Sequence, residues 1–211
     1  MKDFPMFTTE FGVASLILRE IPYRGEAFIL IQDTRQPEEL LAECISFCRI
    51  CGAEKIYARG HEITEKYPLH CIVYEMRGQT EVDESKVEHL WPVTEETVGK
   101  WRELMNEKMR PVDNSGTLEK KNEPDILSGG AYFVHHEGEL LGGGWLVGNE
   151  LLLVASFKPG MGERVCHTLF SLIPGQEVKL DVVSTNGRAI RLYEKLGFIR
   201  TSELRRWHRV H

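Results

Sequence analysis

The pattern of apolar and polar positions divides the chain into short apolar runs separated by glycine, proline and charged residues. Near the N-terminus, two such runs flank a Pro-Tyr-Arg-Gly turn, which predicts a β-hairpin. A helix is predicted next, because Pro37, Glu38 and Glu39 suit a first turn and Gly52 suits the end. The predicted elements of this part are strands at 12–21, 26–32, 55–60 and 68–76, and a helix at 38–51.

The second part of the chain predicts a longer succession of elements. Residues 77–87 are polar and charged, and we take them as a linker after a first lobe. Thr94 is the predicted N-cap of the next helix, because acids follow it. A polar connection with one short helix is predicted at 111–130. The remaining predicted elements are three antiparallel strands within 131–157, helices at 162–173 and 187–196, a strand at 178–184, and final strands within 198–210.

The composition is that of a globular protein, since 42% of the 211 residues are hydrophobic and 27% are charged. The longest unbroken apolar stretch, Leu151 to Ala155, is far shorter than the roughly 20 residues that cross a bilayer. Residues 1–12 lack the long apolar segment of a signal peptide. We therefore expect a cytoplasmic protein with reduced cysteines and no membrane partner.

The net charge of −6 is unevenly distributed along the chain. The first 90 residues contain 10 basic and 16 acidic residues and carry the whole excess, whereas residues 158–211 contain 10 basic and 5 acidic ones. The acidic balance argues against a nucleic acid partner, because such binding depends largely on phosphate neutralisation. The basic C-terminal segment is compatible with a local anion site and with a solvated basic face.

Cys44, Cys48 and Cys51 have the C-x3-C-x2-C spacing of radical S-adenosylmethionine iron–sulfur enzymes. On the predicted helix, however, they lie on one apolar face at i, i+4 and i+7. Cys44 and Cys51 would then be separated by about 10.5 Å along the helix axis, too far for one cluster. We interpret all three as core residues. His61-Glu62 begins like the zinc motif H-E-x-x-H, but Glu65 occupies the second histidine position, so no metal site is predicted.

A first candidate binding segment runs from Lys158 to Arg164, between an apolar strand and a predicted helix. Unpaired backbone N–H groups at such a helix start suit a phosphate, and Gly160 and Gly162 allow close approach. Lys158 and Arg164 add positive charge, whereas Glu163 opposes an anion. A turn that uses glycine only for its geometry explains the same residues equally well.

A second candidate segment runs from Asn186 to Phe198. Asn186 suits a helix N-cap, and Gly197 suits the position after the helix, with apolar Phe198 beyond it. Positions 186, 189, 193 and 197 lie along one stripe of this helix. Taken alone, Tyr193 is explained by a place in the core.

Together, the two segments and the order of elements resemble the GNAT superfamily of acyl-CoA-dependent N-acyltransferases over residues 88–211. The terminal motif NGRAIRLYEKLGF is similar to that of the superfamily, and Gly160 and Gly162 match its glycine turn, although Phe157 stands at a Gln/Arg position. The resemblance implies an α/β (α+β) fold with a mixed, mostly antiparallel twisted sheet flanked by helices. Residues 1–87 would form a smaller N-terminal α/β lobe. Because both lobes share a pattern of hairpin, helix and strand, this lobe is a candidate for a degenerate GNAT-like half.

The resemblance also implies a site for acetyl-CoA as cosubstrate, without a metal. Coenzyme A would lie between the strands at 150–156 and 178–184, with its pyrophosphate on the glycine turn. Tyr193 would be the general acid that protonates the leaving thiolate. The implied cofactor-binding residues are Val154, Lys158, Gly160, Met161, Gly162, Glu163, Arg164, Asn186 and Arg188.

The implied function is an N-acetyltransferase that transfers acetyl to a primary amine of a small molecule or peptide, by direct attack in a ternary complex. For the general base we prefer Glu150, while His135, His136 and a water chain stay open. The acceptor would be bounded by residues 105–130 and the last strand, with Trp207 and His208 as lining.

Two other functions stay open, namely a non-catalytic acyl-CoA sensor or interaction module and, as a distant third, the radical enzyme. The N-terminal lobe would extend the sheet, close the acceptor pocket or mediate homodimerisation.

Overall fold

The structure is a computed structural model that describes residues 5–211. Residues 1–4 belong to the segment that we find unlike a signal peptide and lie outside the described residues. The chain divides into two compact units, which we describe separately. Unit 1 holds the residues up to Ile72 together with Arg205–His211, and unit 2 holds Val73–Leu204. Within residues 5–211, no helix is long and apolar enough to cross a membrane.

Unit 1 is a mixed sheet packed against one long helix. Its elements are β1 (Met6–Thr9), β2 (Gly12–Ile17), α1 (Ile21–Arg24), β3 (Glu26–Thr34), α2 (Pro37–Ile50), β4 (Lys55–Arg59), a 3-10 helix (Glu62–Lys66) and the first part of β5 (Leu69–Gln79). The end of the last strand of the chain, at Ile199–Arg209, pairs antiparallel with β4. β1–β2 and β2–β3 are also antiparallel, whereas β3 and β4 pair in parallel.

The helix predicted at 38–51 is confirmed as α2, with Pro37 in its first turn. Cys44 and Cys48 are buried among apolar side chains of β2, β3 and β4, as predicted. Burial raises the pKa of the Cys44 thiol to about 11 and that of Cys48 to about 12, so both stay neutral. The prediction is wrong for Cys51, which is exposed because the helix ends there and Gly52, at φ 95°, turns the chain.

Unit 2 contains a larger mixed sheet with helices on both faces. Its elements are the end of β5, a 3-10 helix (Glu84–Lys86), β6 (His89–Pro92), α3 (Val98–Met109), a 3-10 helix (Lys120–Asn122), α4 (Glu123–Leu127), β7 (Ala131–His136), β8 (Glu139–Val147), β9 (Glu150–Ser156), α5 (Gly162–Phe170), β10 (Glu177–Val183), α6 (Gly187–Lys195) and the start of β11 (Ile199–Arg209). The strands lie in the order β11-β5-β10-β9-β8-β7-β6. β9 and β10 pair in parallel, whereas β5–β10, β8–β9, β7–β8 and β6–β7 pair antiparallel.

Several predicted boundaries differ from the structure. The strand predicted at 12–21 ends at Ile17, and the short helix α1 at Ile21–Arg24 occupies the predicted turn. α3 begins at Val98 rather than after Thr94, because the Thr94 hydroxyl binds the Glu96 carboxylate at 2.7 Å and residues 95–97 form a separate turn. The predicted linker at 77–87 begins inside β5, whose residues up to Gln79 pair with β10. The assignment of 1–87 and 88–211 to two functional lobes stays a prediction.

Three consecutive glycines in β8 explain how closely helices approach both faces of the unit 2 sheet. A Cβ at Gly144 would collide with the Leu169 side chain of α5, and a Cβ at Gly143 would lie 3.0 Å from Trp101 Nε1 of α3. Because successive residues of a strand point to opposite faces, α5 and α3 cover opposite faces of β8. Trp101 Nε1 also donates a 3.0 Å hydrogen bond to the Tyr132 carbonyl, which anchors α3.

Candidate functional site

A gap opens in the sheet of unit 2 between two parallel strands. β9 pairs with β10 only through its first two residues, where Glu150 faces Lys179 and Leu151 faces Leu180 in the middle of β10. Beyond these residues β10 continues beside β5, and β9 continues beside β8. The later part of β9, from Leu152 to Ser156, therefore borders a gap where the next strand would be.

The register of β9 determines which backbone groups face this gap. The Phe157 N–H donates to the Leu141 carbonyl of β8 at 2.8 Å. Bonded and non-bonded pairs alternate along antiparallel strands, and Val154 and Ser156 lie opposite Gly144 and Gly142 in non-bonded pairs. The N–H and C=O groups of Val154 and Ser156 thus point away from β8 and toward the gap. They present a strand edge to which an extended ligand can add.

The glycine turn lies at the end of β9 and leads into α5. Gly160 has φ 82°, a left-handed conformation that glycine adopts without strain. The first hydrogen bond between backbone groups four residues apart joins the Val165 N–H to the Met161 carbonyl at 3.0 Å. The N–H groups at 162–164 therefore have no acceptor within the helix, and they carry its positive end. These groups lie at the position of the predicted anion site, which stays a prediction, and Met161 does not line the cavity described below.

Glu163 lies at this helix start with two lysines on its carboxylate. Lys195 Nζ is 2.5 Å from one oxygen and Lys86 Nζ is 2.8 Å from the other. The hydrogen bonds from Lys195 and Lys86 lower the pKa of Glu163 to about 2. The carboxylate is therefore ionised at neutral pH, and the neighbouring ammonium groups offset its repulsion of an anion.

Two side chains that were predicted to meet phosphates bind carboxylates instead. Lys158 Nζ lies 2.5 Å from Glu139, which directly follows the turn of the β7–β8 hairpin. Arg164 binds Glu88, which also accepts a 2.7 Å contact from His136. Burial opposes ionisation of Glu88, but the hydrogen bonds from Arg164 and His136 lower its pKa. Arg164 does not line the cavity, whereas Lys158 does.

The predicted helix at 187–196 is confirmed as α6, which brings three of the predicted site residues together. Asn186 caps it, accepting a 3.1 Å hydrogen bond from the Ala189 N–H. Arg188 is exposed and forms no ion pair with any residue of 5–211. Tyr193 is 7% exposed, and burial, with a smaller effect of Cys166, raises the pKa of its phenol. The phenol therefore keeps its proton at neutral pH.

The gap, the glycine turn and α6 enclose one cavity of about 540 Å³. It contains most of the predicted cofactor-binding residues and also residues that the sequence did not single out. The lining residues are Lys108, Met109, Val112, Val154, Ala155, Ser156, Phe157, Lys158, Pro159, Gly160, Gly162, Glu163, Cys166, Asn186, Arg188, Ala189, Leu192 and Tyr193. Ser156 and Cys166 carried no signal of their own, whereas Lys108, Met109 and Val112 fall within the segment predicted to bound the acceptor.

The side-chain candidates for the general base, Glu150, His135 and His136, do not line this cavity. Glu150 lies at the beginning of β9, away from the gap, and pairs with Lys179 at 2.9 Å. His136 binds Glu88, and the ring of His135 stacks on His89 with centroids 5.4 Å apart. The structure therefore does not bring Glu150 to Tyr193.

Trp207 and His208, the predicted acceptor lining, belong to unit 1. Trp207 is 3% exposed and packs against Phe28 and Arg59. The acceptor role of both residues stays a prediction. In the part of the chain from residue 5 onward, no group of three or more His, Cys, Asp or Glu side chains is arranged to hold a metal ion.

Comparisons with known proteins bear on the fold. No protein-family model matches the chain, and neither does any curated protein. Among solved structures, a functionally unknown conserved protein from Staphylococcus epidermidis ATCC 12228 is similar, with TM-score 0.60 and 9% identity over 98% of this chain and 93% of that one.

Two further solved structures are also similar. A GCN5-related N-acetyltransferase from Sphaerobacter thermophilus gives TM-score 0.54 and 10% identity over 93% of this chain and 74% of that one. A tandem GNAT protein from the clavulanic acid biosynthesis pathway gives TM-score 0.51 and 12% identity over 94% and 77%. At these identities the likeness concerns the fold, and it confirms the predicted GNAT-like α/β fold with a mostly antiparallel sheet.

Proposed function

We propose that the protein is an N-acetyltransferase that transfers an acetyl group from acetyl-CoA to a primary amine of a small molecule or peptide, in a ternary complex and in the cytoplasm. The observation that carries this proposal is the gap between β9 and β10. Its exposed strand edge at Val154 and Ser156 leads directly into the helix start at Gly162, and Tyr193 lines the same cavity.

The residues of this cavity fit acetyl-CoA in three respects. The pantetheine arm contains amide groups, which can pair with the backbone of Val154 and Ser156 as an added strand. The pyrophosphate suits the free N–H groups at 162–164 and the positive end of α5. Arg188 offers a cation without a carboxylate partner among the described residues, and Asn186 lines the cavity where the arm would pass.

Acetyl-CoA would supply the acyl group as a thioester, and attack by the neutral amine forms a C–N bond as the C–S bond breaks. Tyr193 is the proposed general acid: its phenol donates a proton to the departing sulfur. The attacking nitrogen loses one proton, which returns to the tyrosine through water in the cavity. An N–H group of the β9 edge that the pantetheine arm leaves unpaired would donate to the carbonyl oxygen as it becomes negative.

Glu150 is not part of the proposed mechanism, because it is bound to Lys179 outside the cavity. The carboxylate of the described cavity lining, Glu163, has two lysine partners and a pKa of about 2, which makes it a weak base. Solvent water is thus the proposed proton acceptor, and the reaction would depend on the fraction of amine that is already neutral.

For unit 1 we propose a degenerate GNAT-like half without its own acyl-CoA site. In unit 1, β2 and β3 pair antiparallel, β3 and β4 pair in parallel with α2 between them along the chain, and β11 pairs antiparallel with β4. Unit 2 has the same order of elements in β8, β9, α5, β10 and β5. In unit 1, however, β3 and β4 pair over five residues, from Glu26 to Leu30. Pro37 also removes one backbone donor from the start of α2.

A non-catalytic acyl-CoA sensor is the second candidate function. It is favoured by Glu163 at the helix start and by Phe157, whose ring packs in an apolar cluster where the superfamily resemblance expects Gln or Arg. A sensor would bind acetyl-CoA and leave its thioester intact.

Two measurements on the full chain test these proposals. Acetyl-CoA at one hundred times its Kd should stabilise the protein by about 2.7 kcal/mol and raise Tm accordingly. No shift at millimolar acetyl-CoA would contradict both functions. Release of the free thiol in the presence of amines then separates enzyme from sensor. In the enzyme, Tyr193→Phe should lower kcat by about 100-fold with nearly unchanged affinity for acetyl-CoA, whereas Tyr132→Phe, a partly buried tyrosine outside the cavity, should change neither.

A further inference from the structure

The cavity has walls on both faces of the unit 2 sheet. Val154 packs in the apolar cluster that contains α5 and α6, with Val165 and Tyr193. Ala155 and Phe157 point to the other face and pack with Trp101 and Met105 of α3. The gap between β9 and β10 therefore opens to both faces of the sheet. We call the face covered by α5 and α6, where both helices begin, the α5 side, and the face covered by α3 the α3 side.

The α3 side of the cavity is formed by the end of α3 and the residues after it. Trp101 and Met105 are buried against the sheet, and Lys108 and Met109 continue the same face of the helix into the cavity wall. Val112, which follows the helix, also lines the cavity. Among the described lining residues of this helix end, Lys108 is the charged one and its neighbours are apolar.

The charge balance of the cavity disfavours a cationic occupant on this side. The carboxylate that lines the cavity, Glu163, lies on α5 and is bound by two lysines. The ion pair of Lys108 with Glu107 is long, at 3.7 Å, and the Glu107 side chain is 69% exposed. Exposed pairs of this kind contribute about 0 to 1 kcal/mol, so Lys108 can exchange Glu107 for a ligand anion at little cost.

We infer that the amine acceptor carries a carboxylate or phosphate group, and that Lys108 binds this group on the α3 side of the cavity. This inference rests on the proposed acetyltransferase function. Phosphates of the cosubstrate would be bound on the other face, at the starts of α5 and α6. Amines with a second positive charge would be repelled by Lys108, with no free carboxylate in the described lining to compensate.

The test measures thiol release from acetyl-CoA with matched amines at equal concentrations of the neutral amine. Amino acids are compared with their amides, O-phosphoethanolamine with ethanolamine, and putrescine serves as the dication. We expect kcat/KM to be at least about tenfold higher for the anionic member of a pair, because a tenfold preference corresponds to the free energy of one hydrogen bond to a charged group. The two pairs distinguish a carboxylate from a phosphate.

Variants of two lysines of α3 test whether Lys108 causes the preference for anionic acceptors. Lys108→Met should raise KM for the anionic acceptor by about tenfold or more, with Kd for acetyl-CoA changed less than about twofold, and Lys108→Arg should restore most of the loss. Lys100→Met, which removes a lysine of α3 that is 69% exposed and outside the cavity, is the control and should change neither.

Two outcomes would overturn the inference while the proposed acetyltransferase function stands. These are equal or faster reaction of the amides or putrescine, and a loss in Lys108→Met that appears in Kd for acetyl-CoA rather than in KM for the amine. Failure to bind acetyl-CoA, or binding without acetylation of any amine in the panel, would instead contradict the proposed acetyltransferase function together with the inference.

Discussion

Lys195 of α6 binds Glu163 of α5 at 2.5 Å, which joins the two helices whose starts face the cavity. Lys86 holds the second oxygen of the same carboxylate. The structure thus places a resident negative charge where the proposed site would receive a pyrophosphate. The cationic groups that could bind this phosphate are partly occupied by the protein itself.

Removing the charge of Glu163 should therefore strengthen binding of acetyl-CoA. Glu163→Gln takes away one repulsive charge and releases Lys86 and Lys195, and both changes favour an anion. Because both pairs are partly solvated, we expect a modest gain of about threefold in affinity, measured by calorimetric titration at low salt and reduced at high salt. The control is Glu194→Gln, which removes an exposed carboxylate of α6 bound to Arg200. Weaker binding by Glu163→Gln would show that the carboxylate organises the site.

The same carboxylate gives a pH dependence of stability. The pKa of Glu163 is about 2 in the folded protein and about 4.5 ordinarily, so the unfolded chain takes up the proton first as the pH falls. The stabilisation is fully present above the ordinary value and is lost as the pH falls from about 4.5 to 2. Urea unfolding should show that Glu163→Gln costs more stability at pH 6 than at pH 3. An equal cost at both values would argue against the lowered pKa.

The glycine turn can be tested with two glycines of matched conformation. Gly160 has φ 82° and Gly175 has φ 70°, and a Cβ at either would meet no neighbouring atom within 4 Å. Alanine at each position should cost a similar backbone strain of about 1 kcal/mol. Only Gly160→Ala should weaken acetyl-CoA binding, by several-fold, because it shifts the N–H groups of the turn. Equal affinities of the two variants would remove the turn from the site.

The close approach of α5 to β8 predicts a stability effect at Gly144. A methyl group there would collide with Leu169, so Gly144→Ala should destabilise the protein by about 1 to 3 kcal/mol. At Gly99 in α3, an added methyl group would meet no neighbouring atom within 4 Å, and Gly99→Ala should stabilise by up to about 1 kcal/mol. Urea unfolding of both variants measures the contrast. Similar changes in the free energy of unfolding of the two variants would mean that α5 can shift away from β8 without loss of stability.

The sequence predicted those parts of the site that depend on neighbouring residues in the chain. Asn186 caps α6 and Gly197 follows it with φ 84°, because capping is decided within a few positions. The turn at Gly160 was found for the same reason. The sequence indicated a phosphate as the partner of Arg164, whereas the structure shows Glu88. Glu88 lies 76 positions earlier in the chain and comes close to Arg164 only in the folded protein.

Strand order and helix burial show the same limit. The strands that pair with β5 and β11, which both units share, could not be predicted from the apolar runs. An apolar run predicts that a strand forms but does not indicate which strand pairs with it. Cys51 was assigned to the core by helical spacing, but the helix ended one residue too early. Lys108 lies in the segment predicted to bound the acceptor but carries no motif that singles it out, and only the structure places it at the cavity.

The central claim is that the β9 edge binds the pantetheine arm of acetyl-CoA, and amide hydrogen exchange of β9 measured by NMR tests it most directly. The Val154 and Ser156 amides should exchange quickly in the free protein and at least about tenfold more slowly with saturating acetyl-CoA. The Phe157 amide, already bonded to Leu141, should change little. Adenosine 3′,5′-bisphosphate, which has no pantetheine, should leave Val154 and Ser156 unprotected. Unchanged exchange of these two amides under saturating acetyl-CoA would contradict the claim.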